Sequence, residues 1–505
     1  MVVFQSYNVL FNSFHFIALF LPITLVIYLF LTRIDKYKFA LGWLVLASLF
    51  FYGYWEPSYL IILLASVMIN YGIGRALQWR DLSARAKWWI LCLGVAGNLL
   101  LIAYYKYLSF LVSSVIPLVG IDVEPPSILL PLAISFFTFQ QIAYLVDSYR
   151  SEVREHSIIH YAVFVTFFPQ LIAGPIVHHK DILPQFQKVL SNNRIYRNLS
   201  IGITIFIIGL FKKVVLADGI APYSDELFNS VATSGVKPDL ITAWAGALSY
   251  TFQLYFDFSG YSDMAVGLAR MFGICLPINF YSPYKACNII DFWRRWHISL
   301  STFLRDYVYI PLGGNRLGSI HRYKNIMITM LLGGLWHGAG WTFVIWEALH
   351  GFYIMINHGF QLFRQNVLKQ QQEATAIGIW FGRILTFGIV VIAWVVFRAE
   401  SFSTAWTILE GMFGRYGLGV ESFQLGLSGF IMLLLILCWF SPNVYQIMSK
   451  VRPVIMSKQL KHKMVYGVFV WKPTFVWGVL TVCLALITYV TIISGQPSEF
   501  LYFQF

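Results

Sequence analysis

The chain has 505 residues, 58% of them hydrophobic and only 12% charged. Soluble domains carry about a quarter charged residues, so this composition, with a mean hydropathy of +0.67, excludes a soluble globular protein over most of the length. The formal net charge of +13 lies in loops between apolar runs, where it sets orientation and touches anionic membrane lipid; it is not a nucleic-acid signal.

In chain order, apolar stretches fall at roughly 14–32, 39–54, 58–75, 88–104, 107–120, 128–147, 160–176, 199–217, 240–258, 325–345, 378–397, 425–441 and 474–494, close to the length that crosses a bilayer. Several are short, so about 11 true crossings are expected, with the remainder re-entrant or interfacial. The N-terminus has no basic stretch and no small-residue cleavage site, which predicts a retained first span rather than a signal peptide. The loops Arg33–Lys38 and Arg75–Lys87 are basic, and the turn YWEPS between them has no positive charge. The positive-inside rule therefore puts both loops in the cytoplasm and the N-terminus outside. No repeat, low-complexity tract or polar segment divides the sequence, and one domain over 1–505 is expected. Five scattered cysteines without CxxC spacing read as reduced, buried thiols, and no metal site is indicated.

Tyr281–Lys324 breaks the pattern. It holds seven Lys or Arg and two Asp, with aromatics interleaved. That is too charged for a span and too aromatic for a plain loop, and it predicts short helices in or dipping through the interface. Irregular backbone at membrane depth needs surrounding protein or a water-filled cavity.

Four clusters could carry chemistry. His337 stands in GGLWHGAGW, Gly333–Trp341. Imidazole suits proton transfer near neutral pH, and flanking glycines let other backbones or a substrate approach. A histidine hydrogen-bonded between helices is the structural alternative. His297, in FWRRWHISLS, could share a site with His337 or simply pack at the interface beside Arg294 and Arg295. Asp257 and Asp263, in YFDFSGYSD, could position a substrate, but capping or pairing with Arg270 is the plainer reading. His178 and His179 point to different faces of a helix, so an interfacial turn fits them better than a ligand pair. There is no GxSxG, no HExxH, no His followed five positions later by Asp, and no P-loop.

PLAISFFTFQQIAYLVD (131–147), FFPQLIAGPI (167–176), GLFKKVVLAD (209–218), YFDFSGYSDMAVGLARMFG (255–273), FWRRWHISLSTFLRDYVYIPLGG (292–314), GGLWHGAGWTFVIWEALHG (333–351) and VVFRAES (395–401) together resemble the membrane-bound O-acyltransferase family, MBOAT. They are most similar to its bacterial alginate O-acetyltransferase branch. The resemblance implies an all-α polytopic fold, an irregular ring of about 11 transmembrane helices with re-entrant helices around a thin centre. It implies that His337 is catalytic and that His297 fills a second functional position, Asn or His in the family. Trp336, Asn288, Asp306, Asp257, Arg294 and Arg295, in or beside the motifs, are the expected substrate-binding residues.

The resemblance further implies a cytoplasmic acyl thioester as co-substrate, acetyl-CoA or an acyl carrier protein, with no bound cofactor. The acceptor would be an exported polysaccharide such as alginate, reached through an extracytoplasmic acetyltransferase partner, and the location a bacterial inner membrane. D-alanyl transfer to teichoic acid, and O-acetylation of peptidoglycan or cellulose, are the neighbouring activities. A transporter of acyl donors is the non-enzymatic alternative, and it would tolerate loss of His337.

Overall fold

The computed structural model describes residues 10–121, 123–152, 157–186, 192–367, 369, 375–456, 469–495 and 498–501. Its described residues are mostly helical, with an isolated bridge between Pro277 and Ile455 and no strand. Among the described residues, six helical stretches are long and apolar enough to cross a membrane: Phe16–Arg33, Pro57–Leu77, Ala84–Val115, Arg194–Ser234, Ala376–Arg398 and Phe475–Ser494. A shorter apolar helix covers Leu425–Phe440. Helices stand at the other expected stretches too, with three differences. The stretch near 160–176 divides into Ile158–Thr166 and Phe168–Leu171 and is not helical from Ile172 to His178. The stretches near 88–104 and 107–120 form one run, Ala84–Val115. The stretch 325–345 is not one helix but two, broken just after His337.

The chain packs into two compact units. The first comprises Met1–Leu210, Tyr261–Pro277 and Met448–Phe503. Its helix starts follow local chemistry: Pro57 opens one helix behind Glu56, and the Ser83 hydroxyl accepts from the Ala86 N–H at 3.2 Å to open another. Asn70 and Asn98 exchange amide hydrogen bonds of 2.6 and 3.2 Å, so both buried side chains are satisfied without water. Outward positions are apolar. Phe475, Val476, Val479, Val482, Leu486 and Val490 are all exposed on the Phe475–Ser494 helix, a surface that suits lipid and not water. His178 ends the turn that follows Leu171, and His179 opens the helix His179–Phe186, buried against Tyr144 and Phe164.

Gly202 and Gly267 bring the helices Asn192–Phe211 and Leu240–Met271 into backbone contact. A Cβ on Gly202 would stand 2.6 Å from the Gly267 carbonyl oxygen, and one on Gly267 would stand 2.6 Å from the Phe206 nitrogen. Neither neighbour is a flexible side chain that can yield. Gly267→Leu is therefore expected to destabilise by about 1–3 kcal/mol through overpacking, read as a lower melting temperature in detergent.

The second unit comprises Phe211–Gly260 and Ile278–Ile447, with the last two residues. A wide π-helical stretch, Lys212–Ala217, leads into Asp218–Ser234. Tyr281–Lys324 breaks into short pieces as its composition predicts, among them Ile289–Trp293 and Ile298–Leu304, followed by a π-helical turn at Arg305–Tyr309. Ser319–His337 and Trp341–Asn366 then form a tight hairpin, and Ala376–Arg398, Phe402–Met412 and Leu425–Phe440 follow. The hairpin is close because its glycines leave room. A Cβ on Gly334 would lie 2.6 Å from the Phe343 carbonyl oxygen, and one on Gly338 would lie 2.1 Å from the Phe343 ring.

Candidate active site

His337 is the last residue of its helix. Gly338 and Gly340 are extended, and the chain turns back at Trp341, so His337 sits at the closed end of the hairpin. It is 4% exposed. Its ring meets Trp336 at 4.9 Å, Trp346 at 5.1 Å and Phe397 at 5.7 Å between centroids, each edge to face. Clearance for a substrate was one expected use of the flanking glycines. The space beside Gly334 and Gly338 is instead filled by Phe343, so these two serve helix packing.

The second histidine comes to the first. The His297 ring centroid is 6.3 Å from that of His337 and 5.7 Å from that of Trp336. His297 is fully buried and has φ +42°, in the left-handed region that non-glycine residues seldom enter. Asn279 secures this turn: its backbone oxygen accepts from the Ile298 N–H at 2.9 Å. Its Oδ1 accepts from the Ser299 N–H at 3.3 Å and the Ser299 hydroxyl at 2.9 Å, and lies 3.1 Å from His297 Nδ1.

These contacts define a tautomer. The Ser299 N–H can only donate, so the Asn279 atom it meets is the amide oxygen. That oxygen can only accept, so His297 Nδ1 carries the hydrogen and Nε2 keeps its lone pair. Burial pushes the His297 pKa down to about 3, so the ring is neutral. A neutral imidazole of this tautomer offers Nε2 as an acceptor. It is suited to hold a hydroxyl, not to donate to a carbonyl.

The remaining expected site residues have local partners. Asp257 pairs with Lys213 at 2.7 Å, and not with Arg270. Asn288 caps the Ile289–Trp293 helix, its Oδ1 accepting from the Asp291 N–H at 2.9 Å. Arg295 Nε donates to Asp291 at 2.9 Å. Asp306 is engaged by its neighbour Arg305 at 2.7 Å. Arg294 is exposed. Only Trp336 of this group is seen against the two histidines.

Five residues here carry no signal of their role in the sequence. Asn279 sits in LPINFYSP, where no period or motif singles it out. Lys213 lies in the quoted motif GLFKKVVLAD, but its pairing spans 44 positions. Trp346 and His350 lie in the quoted WTFVIWEALHG, where nothing distinguishes them from packing residues. Glu347, buried between them, lays its side chain along Gly333 and Gly334.

Asn279 makes a direct test. Asn279→Ala removes the acceptor shared by His297 and Ser299. Activity is expected to fall about 10-fold or more with the protein still folded, as a misplaced catalytic group can cost up to about 100-fold; initial rates beside a melting curve check it.

Comparison with known proteins agrees with this architecture. The profile of the membrane-bound O-acyltransferase family matches residues 50–398. The chain is 39% identical to a peptidoglycan O-acetyltransferase of Helicobacter pylori, over 100% of this chain and 99% of that one. It is 42% identical to the probable alginate O-acetylase AlgI of Pseudomonas aeruginosa, over 80% of this chain and 74% of the relative. A teichoic acid D-alanyltransferase of Streptococcus thermophilus is 28% identical over 57% of this chain and 74% of its own length. The chain belongs to the membrane-bound O-acyltransferase family, and it is a membrane enzyme that transfers acyl groups to hydroxyls.

Proposed function

We propose that the enzyme moves an acetyl group from a cytoplasmic thioester, acetyl-CoA or an acetylated carrier protein, towards an exported glycan, with His337 as general base. The observation that carries this reading is the pairing of His337 and His297 at one buried place, their rings 6.3 Å apart, on segments 40 residues apart in sequence. His297 Nε2 accepts a hydrogen bond from the acceptor hydroxyl and orients it. The hydroxyl oxygen attacks the thioester carbonyl carbon as His337 takes its proton. A C–O bond forms, the C–S bond breaks, and the proton passes from His337 to the departing thiolate. A thioester is already activated, so no nucleotide site is required. The location is the bacterial inner membrane, and an extracytoplasmic acetyltransferase partner completes delivery to the polymer.

Peptidoglycan is the acceptor polymer we favour. The similarity to the Helicobacter pylori peptidoglycan O-acetyltransferase runs the full length of both chains, whereas the AlgI relatives match 80% of this one. Alkali-labile acetate should be measured on muropeptides and on secreted polysaccharide, from the wild-type strain and from a His337→Gln strain. Acetate that disappears from muropeptides alone supports the reading. Loss from secreted polysaccharide alone moves the acceptor to an alginate-type polymer. Unchanged acetate on both removes His337 as the base.

A further inference from the structure

Two buried N–H groups, one on Trp346 beside His337 and one on His350 next to Trp346, meet no acceptor among the described residues. Trp346 is 1% exposed and His350 is fully buried. They stand four positions apart on the Trp341–Asn366 helix, hence on one face, with ring centroids 5.2 Å apart. The Trp346 ring is the one that meets His337 edge to face at 5.1 Å.

The tautomer of His350 is settled by Trp293, whose Nε1–H points at His350 Nδ1 across 3.3 Å. An indole nitrogen only donates, so Nδ1 accepts, and the neutral imidazole carries its hydrogen on Nε2. Phe292 stacks on the His350 ring at 6.0 Å. Inside this aromatic enclosure neither His350 Nε2 nor Trp346 Nε1 meets an acceptor among the described residues. Buried donors are almost always satisfied, and an exception calls for a functional account. The two histidines of opposite tautomer also divide the work: His297 presents a lone pair and His350 a hydrogen.

We propose that Trp346 Nε1–H and His350 Nε2–H bind the carbonyl oxygen of the acyl thioester and hold it as it gains negative charge during the attack. This rests on the thioester chemistry proposed above. Preorganised donors of this kind act strongly because the site excludes water.

The test uses the full-length protein in detergent, with acetyl-CoA and, separately, an acetylated acyl carrier protein, and peptidoglycan fragments as acceptor. Free thiol release gives kcat and KM. Trp346→Phe keeps an aromatic ring and removes the donor, whereas His350→Phe removes the donor together with the Nδ1 acceptor of Trp293. Each is expected to lower kcat about 100–1000-fold with KM for the thioester little changed. His350→Gln, whose amide N–H falls near Nε2, is expected to recover at least about tenfold over His350→Phe, a rescue that loss of packing alone would not give. Melting curves establish that each variant is folded, and Trp346→Phe decides the matter if His350→Phe is not. Values of kcat within about threefold of wild type in folded Trp346→Phe overturn the proposal, as does a loss confined to KM. Failure of the wild type to consume either thioester overturns the parent reading and this one with it. Full activity in His337→Gln overturns the base assignment alone.

Discussion

His337→Gln is expected to lower the acyl-transfer rate by about 100- to 10,000-fold, the range that a positioned general base supplies. The fold should survive. His337 ends its helix, and its ring contacts are edges of Trp336, Trp346 and Phe397, which a side chain of similar length can keep touching. Thioester binding should change little, since the lost interaction is with a proton in motion and not with the bound donor. The rate then falls in kcat and not through KM. Thiol release measured against donor concentration separates the two, and a KM-only effect would make His337 a binding residue. His297→Asn offers the contrast. Asparagine tolerates the left-handed backbone at φ +42°, and its carbonyl can accept from a hydroxyl. Because burial holds the His297 pKa at about 3, this ring stays uncharged through the range pH 5–9. Its replacement should therefore leave the shape of the pH–rate profile in that window as in the wild type.

The parts of this site that the sequence announces are those where a residue conflicts with its surroundings. A histidine inside an apolar run and a run of arginines among tryptophans each break a local expectation, because burying such groups is costly. Hence His337, His297 and the broken helices of 281–324 were all legible. The parts that stay hidden are pairings. Nothing near Asn279 says that it will seat the His297 turn, and nothing near Lys213 says that its carboxylate lies on another helix. The glycines of GGLWHGAGW mislead for a related reason: sequence shows that space is available but not what takes it. Here Phe343 does, and the gap becomes a helix–helix contact. Continuity of hydrophobicity over 325–345 likewise conceals the break at Gly338–Gly340, because glycine and alanine do not interrupt an apolar average although their extended backbone ends the helix.

Lys213→Met is expected to destabilise the protein by about 3–5 kcal/mol, the range for a buried ion pair stripped of one partner. The Lys213 ammonium is 1% exposed and lies 2.7 Å from both Asp257 and Asp218. Asp257 is 3% exposed at its side chain, whereas Asp218 is a quarter exposed. Removing the lysine therefore costs most at Asp257, the more deeply buried of the two carboxylates. Replacing both members with residues of similar volume, Lys213→Met with Asp257→Leu, removes the buried carboxylate as well and should recover most of the lost stability, because well-packed apolar pairs replace buried ion pairs at little cost. The double variant also distinguishes two roles for Asp257. The next residue, Phe258, packs edge to face on His297 at 4.9 Å, so a distorted helix at Asp257 would disturb the second histidine. If the pair only holds that helix in place, stability and transfer rate recover together in the double variant. If Asp257 binds substrate, the melting temperature recovers and the rate does not. Thermal melting in detergent beside initial rates, for both single variants and the double, completes the cycle. A Lys213→Met protein as stable as wild type would mean that the ion pair carries no structural load.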